Sequence, residues 1–149
     1  MIAIACDHSA LAMKAEVIKL LESRGLSYKD YGTYTEDSCH YPIYGYRAAK
    51  AVASGECDRG IVICGTGIGI SLAANKVKGI RCALCGDAYS AKMTRAHNDA
   101  NMLALGARVT GIEVAKTIVE AWLDTPFEGG RHQTRVDMLT AIENDIPIE

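Results

Sequence analysis

Apolar and polar positions along the chain fall into blocks that read as strands alternating with helices. Residues 1–6 (MIAIAC) form a short unbroken apolar run, as expected of a strand covered on both faces. From Leu11 the period lengthens. Leu11, Lys14, Ala15, Ile18, Leu21 and Glu22 recur at helical spacing, Met13, Val17 and Leu20 widen the apolar stripe, and Gly25 supplies a stop. Residues 26–31 predict a weaker strand closed by Gly32, and Pro42 suits the first turn of a second helix running to about Ser54. The strongest strand is 60–64 (GIVIC), followed by the turn Gly65-Thr66-Gly67-Ile68-Gly69 and a helix reaching to near Gly79. Strands at 81–85 and 102–105, and helices at 88–96, 111–123 and 131–143, complete the pattern. Five strands in regular alternation with helices predict an α/β fold, an open parallel sheet in a single domain spanning residues 1–149. In such sheets ligands bind beyond the carboxyl ends of the strands, where the strand order reverses. That rule nominates the turns after the first, third and fifth strands: Asp7-His8, the glycine-rich turn after Cys64, and the approach to Arg108.

Composition narrows the partners. The chain is 49% hydrophobic and 23% charged with a net charge of −2, values of an ordinary globular domain without a basic face for nucleic acid or a membrane surface. No apolar stretch reaches the roughly 18 residues of a membrane span, and no secretory leader is visible at the N-terminus. The six cysteines sit mostly in strand-like apolar runs, where a reduced thiol packs as a small hydrophobe, so a cytoplasmic protein without disulfides is expected. Cys82-x-x-Cys85 is half a zinc pattern at most: residues three apart on a strand point to opposite faces, and no second pair has matching spacing. No metal or cofactor is expected.

The chemistry concentrates at Cys64. It closes a buried strand immediately before a helix N-terminus, where the dipole and free amides favour a thiolate and should lower the thiol pKa. The three glycines that follow let consecutive N–H groups face one small space, a nest for a phosphate or an enediolate oxygen. A base beside an oxyanion site is what proton abstraction next to a carbonyl requires. A nucleotide-triphosphatase loop would need Lys and Ser/Thr after its last Gly, where Ile70-Ser71 stand, and a cysteine phosphatase would need Arg at Ile70. A dinucleotide fingerprint is nearer, with Asp87 about 20 residues past the turn, but the glycines read G-x-G-x-G.

Other polar groups are candidates of lesser weight. His97-Asn98 ends the fourth helix, and His97 is the best general acid because its charge changes near neutral pH. Asp7 could either serve a site or cap the next helix. Arg131 and Arg135, four apart at a helix start, share one face. Cations sit badly there unless an anion joins them, which points to phosphate.

Taken together, Cys6-Asp7-His8, Ile63-Cys64-Gly65-Thr66-Gly67-Ile68-Gly69-Ile70-Ser71 with Ala73-Ala74-Asn75-Lys76, His97-Asn98-Asp99 and Gly129-Gly130-Arg131-His132-Gln133 resemble the ribose-5-phosphate isomerase B family over nearly the whole chain. The resemblance implies a Rossmann-like three-layer sandwich and a homodimer, or a dimer of dimers, with active sites shared between subunits. It also implies metal-free interconversion of ribose 5-phosphate and ribulose 5-phosphate. Carried onto this chain, Cys64 matches the base, Thr66 its supporting hydroxyl, and Gly65, Gly67, Ile68 and Gly69 the amides that hold the enediolate. His97 matches the acid that opens the ring, assisted by Asp7. His8, Arg131 and Arg135 match phosphate contacts, Asn98 and Arg108 further substrate positions, and the helix 131–143 contributes to the dimer and phosphate site. Ile70 places the chain in the cysteine-using branch, because the other branch carries Glu there. The family's usual Asp-Tyr-Pro is His40-Tyr41-Pro42 here, similar to one subunit of galactose-6-phosphate isomerases, and Tyr41 borders the sugar site. A hexose-6-phosphate isomerase (allose or galactose type) is therefore the alternative substrate reading. A non-catalytic sugar-phosphate or nucleotide-binding regulator is the alternative of another class.

Overall fold

The computed structural model describes residues 1–149. Five strands, β1 (Ile2–Cys6), β2 (Tyr28–Asp30), β3 (Arg59–Cys64), β4 (Cys82–Leu84) and β5 (Met102–Gly106), form one sheet in the order β2-β1-β3-β5-β4. Every neighbouring pair is parallel. Six helices connect and flank them: α1 (Leu11–Ser23), α2 (Tyr41–Ala53), α3 (Ile68–Asn75), α4 (Ala88–Asn98), α5 (Ile112–Asp124) and α6 (Arg131–Glu143). None of them is long and apolar enough to cross a membrane.

Side-chain alternation along the strands builds two cores of different texture. Ile2, Ile4 and Cys6 of β1, Ile61 and Ile63 of β3 and Leu103 and Leu105 of β5 face α1 and α5, where they meet Met13, Val17, Leu21, Ile118 and Trp122. Each fully buried Ile or Leu there contributes about 1.5–3 kcal/mol. The opposite face carries Ala3, Ala5, Val62, Cys64 and Ala104 against Ala48, Ala49, Val52, Ile70 and Ala74 of α2 and α3. Small residues let those helices lie close: a Cβ on Gly45 of α2 would stand 2.9 Å from Ile70 of α3. The expected three-layer α/β sandwich is the observed one.

The differences from the sequence pattern are confined to element ends. Asn75 ends α3 earlier than expected, its amide bridging to the main chain of Cys82 through both its oxygen (2.8 Å) and its nitrogen (2.9 Å). β4 is shorter than the apolar run, because Arg81 N–H goes to the Asn101 side chain instead of a strand. Cys82 and Cys85 lie in opposite cores, so they form no metal pair, and all six cysteines are free thiols.

Strand order fixes where a ligand can sit. After β1 the chain steps to β2 on one side and then crosses to β3 on the other, so the cleft beyond the carboxyl ends of β1 and β3 is the switch point.

Candidate active site

A cavity of about 240 Å³ opens at that switch point. Asp7, His8, Tyr41, Cys64, Gly65, Thr66, Gly69 and Arg108 from the expected set line it, together with Ser9. Cys64 is the last residue of β3, 4% exposed. Its Sγ accepts a hydrogen bond from Gly67 N–H at 3.2 Å. Gly67 adopts φ +78, which turns the chain into α3, and a Cβ there would stand 2.4 Å from Leu84 and 2.9 Å from the Leu105 backbone. From the other side, a Cβ on Gly106 would strike the Thr66 carbonyl at 2.5 Å. The nest is thus held between β3 and β5 by backbone that tolerates no side chain. The Thr66 hydroxyl accepts from Ile68 N–H at 3.2 Å, so it is oriented by the first turn of α3.

The remaining walls are held by local bonds. The Asp7 carboxylate accepts from both the Ser9 N–H (2.9 Å) and the Ser9 hydroxyl (2.6 Å). Asp7 therefore does not cap α1, whose N-cap residue is Ala10 without a side-chain bond. Ser9 was not singled out from the sequence, although Asp followed two residues on by Ser is the pattern of such a turn. His8 Nδ1 accepts from Cys39 N–H at 3.2 Å, which in the neutral ring leaves the proton on Nε2 as a donor. The Arg108 N–H donates to Gly65 O at 2.9 Å, and its side chain lies against Gly65. Tyr41, the first residue of α2, lays its ring on Gly69, where a Cβ would meet its Cζ at 2.6 Å.

His97, Asn98, Arg131 and Arg135 are not in this cleft. α4 leaves the carboxyl end of β4 and returns to the start of β5, so His97 and Asn98 lie at the amino edge of the sheet. That edge is marked by the Gly60–Met102 pair, and Cys64 pairs with Gly106 four residues on, roughly 13 Å further at 3.3 Å per residue. There His97 stacks on His132, ring centroids 4.2 Å apart and planes within 9°. Burial and the neighbouring His97 hold His132 below the usual histidine range. Arg131 and Arg135 are exposed on the first turns of α6, beside the last turn of α4. Within one chain the sheet thus separates the expected site residues into two sets, one at the Cys64 cleft and one at the amino edge. A second cavity of about 300 Å³ between α3, β4, α4 and α6 is lined by Asn98 and Arg81, but its only thiol, Cys82, is pushed by burial to about 12.

Burial sorts the thiols by reactivity. It raises Cys6 to about 12 and Cys85 to about 11, leaving both protonated near neutrality. Iodoacetamide at pH 7.5 is expected to modify Cys64, and in a Cys39→Ser background no other thiol at a comparable rate. Peptide mass mapping after limited labelling checks this, and preferential labelling of Cys6, Cys82 or Cys85 would contradict it.

Fold and cleft together define an open parallel-sheet α/β protein with a thiol at the head of a glycine nest. The Ribose/Galactose Isomerase family matches residues 2–139. Ribose-5-phosphate isomerase B of Escherichia coli is 53% identical over 142 residues, covering 95% of each chain. The structure of Clostridium thermocellum ribose-5-phosphate isomerase B superposes with a TM-score of 0.95 at 53% identity over 97% of both chains. D-erythrulose-4-phosphate isomerase of Pectobacterium atrosepticum is 44% identical over 144 residues, 96% of this chain and 95% of that one. The chain belongs to the ribose/galactose isomerase family.

Proposed function

We propose that this protein interconverts ribose 5-phosphate and ribulose 5-phosphate, with Cys64 carrying the proton between C1 and C2 through a cis-enediolate. The observation that supports it most is the Cys64 Sγ, held by the Gly67 amide and buried at the mouth of a nest whose N–H groups can receive the enediolate oxygen. The base and the oxyanion site are adjacent, so proton transfer and charge stabilisation occur in one place. Tyr41 closes the wall along the sugar, and His8 and Arg108 offer donors from the side of β1 and β5.

The ring-opening acid His97, with Asn98 and the phosphate-binding Arg131 and Arg135, comes from a second copy of the chain. Its amino-edge cluster faces the Cys64 cleft of the first, and Asp7 assists ring opening from within that cleft. The separation of the two sets along the sheet supports this assembly. Arg131 and Arg135 have no carboxylate partner of their own, as expected of cations reserved for an anion. Orientation of the opened sugar and stabilisation of the enediolate supply most of the rate.

Purified protein is expected to convert ribose 5-phosphate to ribulose 5-phosphate with a higher kcat/KM than allose 6-phosphate or galactose 6-phosphate. Hexose preference would transfer the assignment to the longer sugars, with Tyr41 and the neighbouring His40 as the first positions to examine.

A further inference from the structure

His132 is the residue of the Gly-Gly-Arg-His motif that the reaction above does not use, and its surroundings are unusual. The residue is 6% exposed, and its Nε2 is buried without a hydrogen-bond partner. Such an atom normally finds a partner in a folded protein. The nearest candidate is Glu128, whose carboxylate stands 3.5 Å away, beyond a good bond to a neutral ring. His97 completes the group, and the ligand-capable atoms of all three lie within 4.8 Å of one another.

Three elements fix the cluster. His97 sits in the last turn of α4, and His132 is the second residue of α6. The segment bearing Glu128 is tied to α4 by its own N–H, which donates to Ala96 O at 3.0 Å. Gly129 and Gly130, at φ +67 and +55, then turn the chain so that Glu128 falls back over His132. Other residues adopt that conformation only under strain, so the return is built into the two glycines.

We propose that His97, Glu128 and His132 form a binding site for a divalent transition metal of the zinc, cobalt or nickel type, and that an ion there inhibits isomerisation by occupying His97. Two imidazole nitrogens and one carboxylate oxygen are a donor set suited to these borderline ions rather than to magnesium or calcium. Donors sharing such an ion stand about 3.4 Å apart, given bond lengths of about 2.0–2.2 Å. The closure from the observed spacing needs a torsional swing of exposed Glu128 and a tilt of half-buried His97 out of its stack, while His132 stays in place. Arg131 and Arg135 flank the cluster and oppose a cation, which keeps the affinity below that of a structural zinc site. The effect is a brake and not a requirement: the coordinated nitrogen of His97 has no lone pair to accept a proton and no proton to give, and the ring is held away from its working orientation.

The inhibitory half of this inference rests on His97 as the ring-opening acid, so binding and inhibition are read separately. Cobalt(II) added to the purified protein in phosphate-free buffer is expected to give one site per chain, with a visible spectrum of nitrogen and oxygen ligation. Zinc(II) is expected to compete for that site and to abolish ribose 5-phosphate isomerisation with the same half-saturation, reversibly on adding chelator. Glu128→Gln is expected to weaken both binding and inhibition at least about tenfold while leaving the metal-free rate unchanged. Unaltered binding in Glu128→Gln overturns the site. A thiolate-to-cobalt charge-transfer band also overturns it, placing the ion on Cys64 or Cys39. Stoichiometric binding that leaves isomerisation untouched overturns the inhibitory role. A metal-free protein without isomerase activity is a failure of the proposed reaction, and the cobalt spectrum still decides the site.

Discussion

Replacing Cys64 by alanine is expected to lower kcat for ribose 5-phosphate by about 10²- to 10⁴-fold, the contribution of a positioned proton-transfer group. KM should change little, because the phosphate and hydroxyl contacts lie on other side chains. Ile70, the position where a carboxylate could substitute, is a fully buried aliphatic residue packed in the α2–α3 core. Two other acceptors lining the 240 Å³ cleft carry local bonds: Asp7 Oδ1 accepts from Ser9, and the Thr66 hydroxyl from the Ile68 amide. The Cβ left behind keeps the β3 strand pairing, although the Gly67 N–H loses its acceptor, so circular dichroism should be unchanged. Cys64→Ser adds a sharper control, since it keeps the shape and a hydrogen-bond acceptor for Gly67 but not an ionisable thiol. Both variants should lose exchange of the substrate C2 proton with D₂O in step with turnover. A Cys64→Ala protein with near-normal kcat would remove the thiol from the mechanism.

The second large effect concerns the two sets of residues that the sheet keeps apart. Cys64→Ala and His97→Ala should each be nearly inactive alone, yet a mixture allowed to exchange subunits should regain about a quarter of wild-type activity. The figure follows from two-fold symmetry: half of the dimers are mixed, and in each mixed dimer one composite site carries both lesions while the other carries neither. Co-refolding the two proteins and assaying against each alone provides the measurement. Activity that stays at the sum of the separate variants would mean that no site is completed across subunits. Sedimentation of the mixture should give a species of twice the chain mass or a multiple of it.

Much of this was legible in the residues. Isolated apolar runs marked β1, β3 and β5, and glycines or Pro42 marked most helix ends, because buried parallel strands and helix termini have strong local signatures. Cys64 and its nest were legible for the same reason: a strand, a thiol and spaced glycines adjoin in sequence, so proximity in the chain is proximity in space. Asp7-His8 and Arg108 needed the rule about switch points as well, and Tyr41 came only from the resemblance. Periodicity carried no information about strand order, and therefore none about which end of the sheet holds His97. Only the return of α4 toward β5 places that residue across from Cys64. The resemblance implies sites shared between subunits, which is the assembly proposed above. Ser9 escaped because a single serine has no periodic or charge signal, and the His97–His132 stack because it joins two helices far apart in sequence.

The Tyr41 ring resting on Gly69 couples the width of the cleft to the backbone proposed to hold the enediolate oxygen. Neither position can drift alone: a side chain at 69 must displace the ring, and a smaller residue at 41 leaves the nest unroofed. Divergence toward longer or shorter sugars in this fold would therefore proceed through paired changes at 41 and 69, and an engineered library that varies only one of them would sample mostly dead ends.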